Sequence, residues 1–109
     1  MARTFISIKT SFEALHCWPE CPIEEVSFLK NPHRHIFHVK VVMETFEDRQ
    51  IEFIDQKRKI EDFIEKYKGK NLGSMSCEKI AEEIAEKFRA KKVEVEEDGE
   101  NGAIYIRQI

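Results

Sequence analysis

The chain has little cysteine, no long apolar run and no excess of either charge, and each shortage removes a class of protein. Cys17, Cys21 and Cys77 are the three cysteines among 109 residues, an odd number in a chain that reads as intracellular, which sets aside a disulfide framework. No apolar stretch approaches the roughly 18 residues that mark a membrane-spanning helix. Met1-Ala2-Arg3-Thr4 leads straight into a short alternating segment instead of a signal peptide, so a cytoplasmic protein is expected. Eighteen Lys and Arg against 21 Asp and Glu give a net charge of -3. The two signs are interspersed, which argues against nucleic acid or an anionic membrane as partner. With no internal repeat or low-complexity segment, residues 1–109 read as a single domain with a modest core. A cleft enclosed by one such chain is hard to build, which favours an oligomer with sites between subunits.

What is present is regular patterning. Ile6, Ile8, Phe12 and Ala14 alternate with Ser7, Lys9, Ser11 and Glu13, the period of a half-buried strand over residues 4 to 16. From Cys17 to Pro32 the chain carries its three prolines and no periodicity, which predicts a long ordered loop of the kind that covers a site or an interface. A second strand is predicted from about His33 to Phe46. Phe53, Ile60, Phe63, Ile64 and Tyr67 then form the stripe of a helix ending near Lys68-Gly69, and Ile80, Ala81, Ile84, Ala85 and Phe88 form that of a second helix capped by Ser76. Val93 to Glu97 and Ala103 to Arg107 flank the turn residues Asp98-Gly99-Glu100-Asn101-Gly102, a hairpin signature. The order is ββααββ, and its economical packing is an α+β fold: a four-stranded antiparallel sheet with two helices on one face. Its edges and its other face would need partners.

The four histidines all fall between positions 16 and 38. On a strand, His33 and His35 share one face while Arg34 and His38 take the other. Two such imidazoles are half of a zinc site, and His16, on the same face as Phe12 and Ala14, supplies a third ligand from the neighbouring strand. Alone, the pair is also what a surface strand or the basic cluster Pro32-His33-Arg34-His35 would carry. His38 has the wrong parity and is left out. Cys17 and Cys21, a Cys-x3-Cys beside His16, form a lesser metal candidate without a second pair at matching spacing.

These residues resemble a known family in chain order. Phe12-Glu13-Ala14-Leu15-His16 is similar to the F-x-A-x-H ending the first strand of the 6-pyruvoyl tetrahydropterin synthase and 6-carboxytetrahydropterin synthase family. His33-Arg34-His35 resembles its H-G-H, with Arg for Gly. Glu52-Phe53-Ile54-Asp55-Gln56-Lys57 resembles D-F-x-x-L-K at the start of helix one, and Ser76-Cys77-Glu78-Lys79-Ile80-Ala81 resembles T-S-E-N-L-A opening helix two. Val93-Glu94-Val95-Glu96-Glu97-Asp98 is similar to V-x-V-x-E-T on the third strand. The resemblance implies a tunnelling-fold subunit whose sheets close into a trimer barrel, with two trimers often stacked as a hexamer. It implies a homotrimer or homohexamer with sites between subunits, Zn2+ on His16, His33 and His35, and Glu97 as the anchor of a pterin ring. A carboxylate suits that grip because it accepts two parallel hydrogen bonds from an amino-pyrimidine edge.

The departures bear on activity. Where the family has a catalytic cysteine four residues before the first histidine of H-G-H, this chain has Leu29. The L-D-H-x-x-L that supplies an Asp-His proton-transfer pair has no counterpart in Lys66 to Gly73. Glu20, Glu24 and Glu25 in the long loop are candidate substitutes, with solvated loop charges as the plainer account. Catalytic residues are therefore left open. Two functions remain: a zinc-dependent lyase acting on a pterin such as 7,8-dihydroneopterin triphosphate with altered acid-base groups, or a non-catalytic homologue that keeps metal and a pterin- or purine-like pocket, or only the scaffold.

Overall fold

In the computed structural model, which describes residues 1–108, the elements are β1 (Thr4–His16), a 3-10 helix (Glu24–Lys30), β2 (His33–Thr45), α1 (Phe53–Ile64), α2 (Cys77–Phe88), β3 (Lys92–Glu97) and β4 (Asn101–Ile106). The strands form one sheet in the order β1-β2-β3-β4, every neighbouring pair antiparallel. This is the α+β arrangement expected from the patterning, with α1 over β1 and α2 over β3 and β4. No helix among the described residues is long and apolar enough to cross a membrane.

Period-2 alternation fixes which side of each strand meets the helices. Ile8, Phe12 and Ala14 of β1, Phe37, Val39 and Val41 of β2, and Val93 and Val95 of β3 are buried there, against Ile60 and Ile64 of α1 and Ile80, Ala81, Ile84 and Ala85 of α2. Full burial of each branched or aromatic side chain contributes roughly 1.5–3 kcal/mol, so this layer dominates the stability. Cross-layer hydrogen bonds fix the helices laterally: Thr10 donates to Glu61, and Tyr105 donates to Glu86. The opposite face carries Lys9, Ser11, Glu13, Arg34 and His38, all exposed.

Three local expectations need correction. Helix α1 stops at Ile64 rather than near Lys68-Gly69. Residues beyond it leave the helix to follow β1: Gly69 N–H donates to Glu13, Leu15 N–H to Lys70, and Leu72 N–H to Leu15. The backbone bonds offered by the end of β1 outweigh another helical turn, and Tyr67 stays buried from the turn that follows the helix. The loop between β1 and β2 contains two short 3-10 turns that meet at a non-helical Val26. None of their side chains is buried, so no apolar stripe announces them. The hairpin turn is shorter than expected, because β4 begins at Asn101. Asp98 and Gly99, with φ of 56 and 72, are the central pair of a tight turn closed by the Glu100 N–H donating to the Glu97 carbonyl, within a three-residue connection; Asp and Gly both tolerate positive φ.

Candidate metal and ligand site

The register of the sheet brings the three predicted histidines to one end of its helix-covered face. His16 lies opposite His33, and Ala14 lies opposite His35. Phe37 pairs with Glu97, which brings the glutamate beside the same group. The ring centroids of His16, His33 and His35 are 4.7, 5.1 and 4.9 Å apart. One ring nitrogen from each lies within 4.8 Å of the others. Phe37 forms the floor, with its centroid 5.2 Å from that of His16 and 5.8 Å from that of His35. His16 is buried, while His33 and His35 are half-buried; His16 and His33 line a neighbouring cavity.

Each imidazole is held by its Nδ1. That of His16 lies 2.9 Å from the carbonyl oxygen of Met75, that of His33 lies 2.8 Å from the carbonyl oxygen of Asn31, and that of His35 lies 2.7 Å from a carboxylate oxygen of Asp98. Carbonyls and carboxylates only accept, so each Nδ1 carries the proton and each neutral ring turns a bare Nε2 inwards. The His35 Nε2 is buried with no hydrogen-bond partner. The His16 Nε2 faces a Glu97 oxygen at 3.1 Å, and the His35 Nε2 faces the other at 3.7 Å. Lone pairs and a carboxylate converging with no donor between them repel one another unless a cation or extra protons intervene. Tetrahedral zinc with bonds of about 2.0–2.1 Å asks for nitrogens about 3.3 Å apart, inside the 4.8 Å within which these three lie. The donor set fits the metal expected from the sequence. Among the described residues it is the one group of three or more His, Cys, Asp or Glu side chains that converges closely enough for a metal ion.

Beside the histidines lies a cavity of about 630 Å³ lined by His16, Trp18, Leu29, Cys77, Glu97 and Asn101 among others. Its lining contains no Lys or Arg. Leu29, standing where the resembled motif has cysteine, faces this cavity, whereas Glu20, Glu24 and Glu25 are exposed and outside its lining. Cys17 and Cys21 do not join the histidines as a metal group; Cys17 reaches the lining and Cys21 is buried near loop carbonyls. Arg34, the residue between the two histidines, leaves the site for the other face of the sheet and pairs with Glu13. His38 is exposed on that same face.

Sequence reasoning missed three participants. Met75 and Asn31 act through backbone carbonyls, which leave no side-chain signal. Asp98 was legible only as a turn residue. Hydrogen bonds from the Ile36 N–H and from His35 hold its carboxyl below the usual carboxylate range. The Cys77 sulfur lies 3.8 Å from Glu97 in the cavity wall. Burial, with the Glu97 charge second, pushes its pKa up to about 12, so it is a thiol at neutral pH.

No protein-family model matches this sequence, and no curated protein matches it significantly. Among solved structures the chain is similar to 6-pyruvoyl tetrahydropterin synthase of Caenorhabditis elegans, with a TM-score of 0.72 and 18% identity over 99% of this chain and 98% of that one. The superposition runs from end to end and includes the sheet, both helices and the hairpin, so the chain has the fold of 6-pyruvoyl tetrahydropterin synthase.

Proposed function

We propose that this protein binds zinc through His16, His33 and His35 and a pterin-like ring through Glu97, as a relative of the 6-pyruvoyl and 6-carboxytetrahydropterin synthases. The observation that carries the reading is the set of inward Nε2 atoms with no donor among them, the buried His35 Nε2 above all. Zinc held there supplies a Lewis acid that polarises an oxygen of a bound ligand. Glu97 lies where the third strand ends, half-exposed to the cavity, and its free lone pairs suit the amino-pyrimidine edge of a pterin. Phe37 and the three Nδ1 acceptors hold the imidazoles still.

Binding without turnover is the better supported form of this function. Positioned acid-base groups typically contribute about 10²–10⁴-fold to a rate, and the cavity offers Leu29 in place of a proton carrier. With no Lys or Arg in the lining, a triphosphate tail would meet no cationic side chain of this subunit. The second reading, a lyase with altered proton carriers, is favoured by one observation: the Cys77 thiol and the Glu97 carboxylate stand 3.8 Å apart in the same wall. The open sheet edges, β1 and β4, support assembly of three copies into a closed barrel or of six into a stacked pair.

The test starts with purified protein. Bound zinc is expected at one equivalent per chain, falling sharply in His35→Ala and unchanged in His38→Ala; an unchanged ratio in His35→Ala would remove the three-histidine site. Incubation with 7,8-dihydroneopterin triphosphate while following tripolyphosphate separates the two forms. Zinc with quenching of pterin fluorescence but no release establishes binding without turnover, and release abolished by Cys77→Ala establishes the lyase.

A further inference from the structure

Asp98 does two things that its place in a turn does not require. A residue with φ of 56 is needed to close the hairpin, and Asn or Gly meets that need as well as Asp. The Asp98 carboxylate nevertheless reaches back across the sheet, with one oxygen accepting the Ile36 N–H at 2.9 Å and the other lying 2.7 Å from the His35 Nδ1. The Asp98 N–H also donates to the Ile36 carbonyl at 2.8 Å. The turn is thereby tied to the residue beside His35 by backbone and side chain together, and the second oxygen is aimed by the first.

We propose that Asp98 is a positioning residue for the metal site: its carboxylate fixes His35 as the Nδ1–H tautomer, keeps the Nε2 lone pair pointed at the metal and makes that nitrogen a stronger donor. This rests on the metal reading above. His16 and His33 are each held by a neutral carbonyl; His35 alone has a charged acceptor, which strengthens the hydrogen bond that orients the ring. The motif that this segment resembles has threonine after the glutamate, a β-branched residue that is strained at positive φ. In this chain the contact is made from the Asp-Gly turn.

Asp98→Asn isolates the effect, because asparagine tolerates the same φ and can still accept the Ile36 N–H. Its amide nitrogen then faces His35 Nδ1, and two donors cannot share that contact. The ring must flip its tautomer and put the proton on Nε2, as happens when a buried Asp beside a catalytic His becomes Asn. In the metal-free protein, ¹⁵N chemical shifts of the His35 ring are expected to report Nδ1–H in the wild type and Nε2–H in the variant. Zinc affinity, measured by competition with a chromogenic chelator, is expected to fall about 10–100-fold. Asp98→Gly, which also accepts positive φ, is expected to lose a similar factor, with the far-UV circular dichroism of both variants unchanged. Wild-type affinity or an unchanged His35 tautomer in Asp98→Asn overturns the proposal while leaving the metal reading standing. A wild-type protein that takes up no zinc removes both.

Discussion

Phe37 carries two roles at once, since its fully buried ring stacks on Phe12 at 5.2 Å and meets His16 and His35 edge-on. Truncating a buried Phe to Ala costs about 3–5 kcal/mol. Phe37→Ala is expected to lose that much in urea denaturation and to weaken zinc binding as well, because the floor under two imidazoles goes with it. Cys77 gives a second residue-scale prediction. Burial raises its pKa from the ordinary thiol value of 9.0 to about 12, so the folded state holds this proton more tightly than the unfolded one. The corresponding stability is fully present below pH 9 and is lost as pH rises through about 12. In metal-free protein, the half-buried Cys17 is expected to react with a disulfide reagent at pH 8 while Cys77 stays protected; equal rates would contradict the buried thiol. The residues that the sequence made legible, His16, His33, His35 and Glu97, are those whose side chains strand parity and register bring together. Met75 and Asn31 were invisible because a carbonyl oxygen is the same on every residue.

Strands were legible because one face is buried, so alternation is enforced at every step and a one-residue slip would invert the whole set. The same logic made α2 readable, where Ser76 accepts from the Lys79 N–H at 3.1 Å ahead of a continuous apolar stripe. Ser76→Ala is expected to lower stability by about 0.5–2 kcal/mol and, since Ser76 lines the cavity, to loosen the loop carrying Met75. The misread ends of elements have a common physical origin. At Ile64 and in the 17–32 segment, backbone groups are satisfied by β1 and by short turns, contacts that no periodicity encodes. Gly102 is a position where the element depends on a missing atom. A Cβ there would run into the Val95 carbonyl and the Glu96 Cα, both backbone, so neither can move aside without breaking the β3–β4 ladder. Gly102→Ala is expected to lower the melting temperature further than the common range of about 0.5–3 kcal/mol would produce, and to disturb Glu97 and Asp98 through the hairpin they share.

The whole molecule leaves its sheet unfinished. The outer edge of the 13-residue β1 is covered by residues 69–72 only at Glu13 and Leu15, the 6-residue β4 is the other edge strand, and open edges are normally blunted, covered or closed. Apolar side chains accompany them on the face away from the helices: Phe5 at one edge, Ile104 and Ile106 at the other, all exposed. A β1 edge meeting a β4 edge of another copy satisfies both rows of hydrogen bonds, and repetition around an axis closes the sheet with no edge left over. Such a head-to-tail contact generates a ring, the geometry of the closed trimer proposed above. The proposed metal and ligand site sits at one end of this sheet, with exposed Trp18 and Asn101 in the lining of its cavity, where a neighbouring copy could complete the wall. Light scattering is therefore expected to give three times, or six times, the 12.9 kDa chain mass. Ile104→Lys places a charge on the β4 edge, away from the core and the cavity lining, and is expected to shift the mass towards the single chain with the circular dichroism intact. The decisive outcome is the joint one: if zinc remains at one equivalent in that monomer while pterin binding is lost, the metal site is built by one chain and the ligand site by two. A wild-type protein that scatters as a single chain at high concentration would end the closed-barrel assembly.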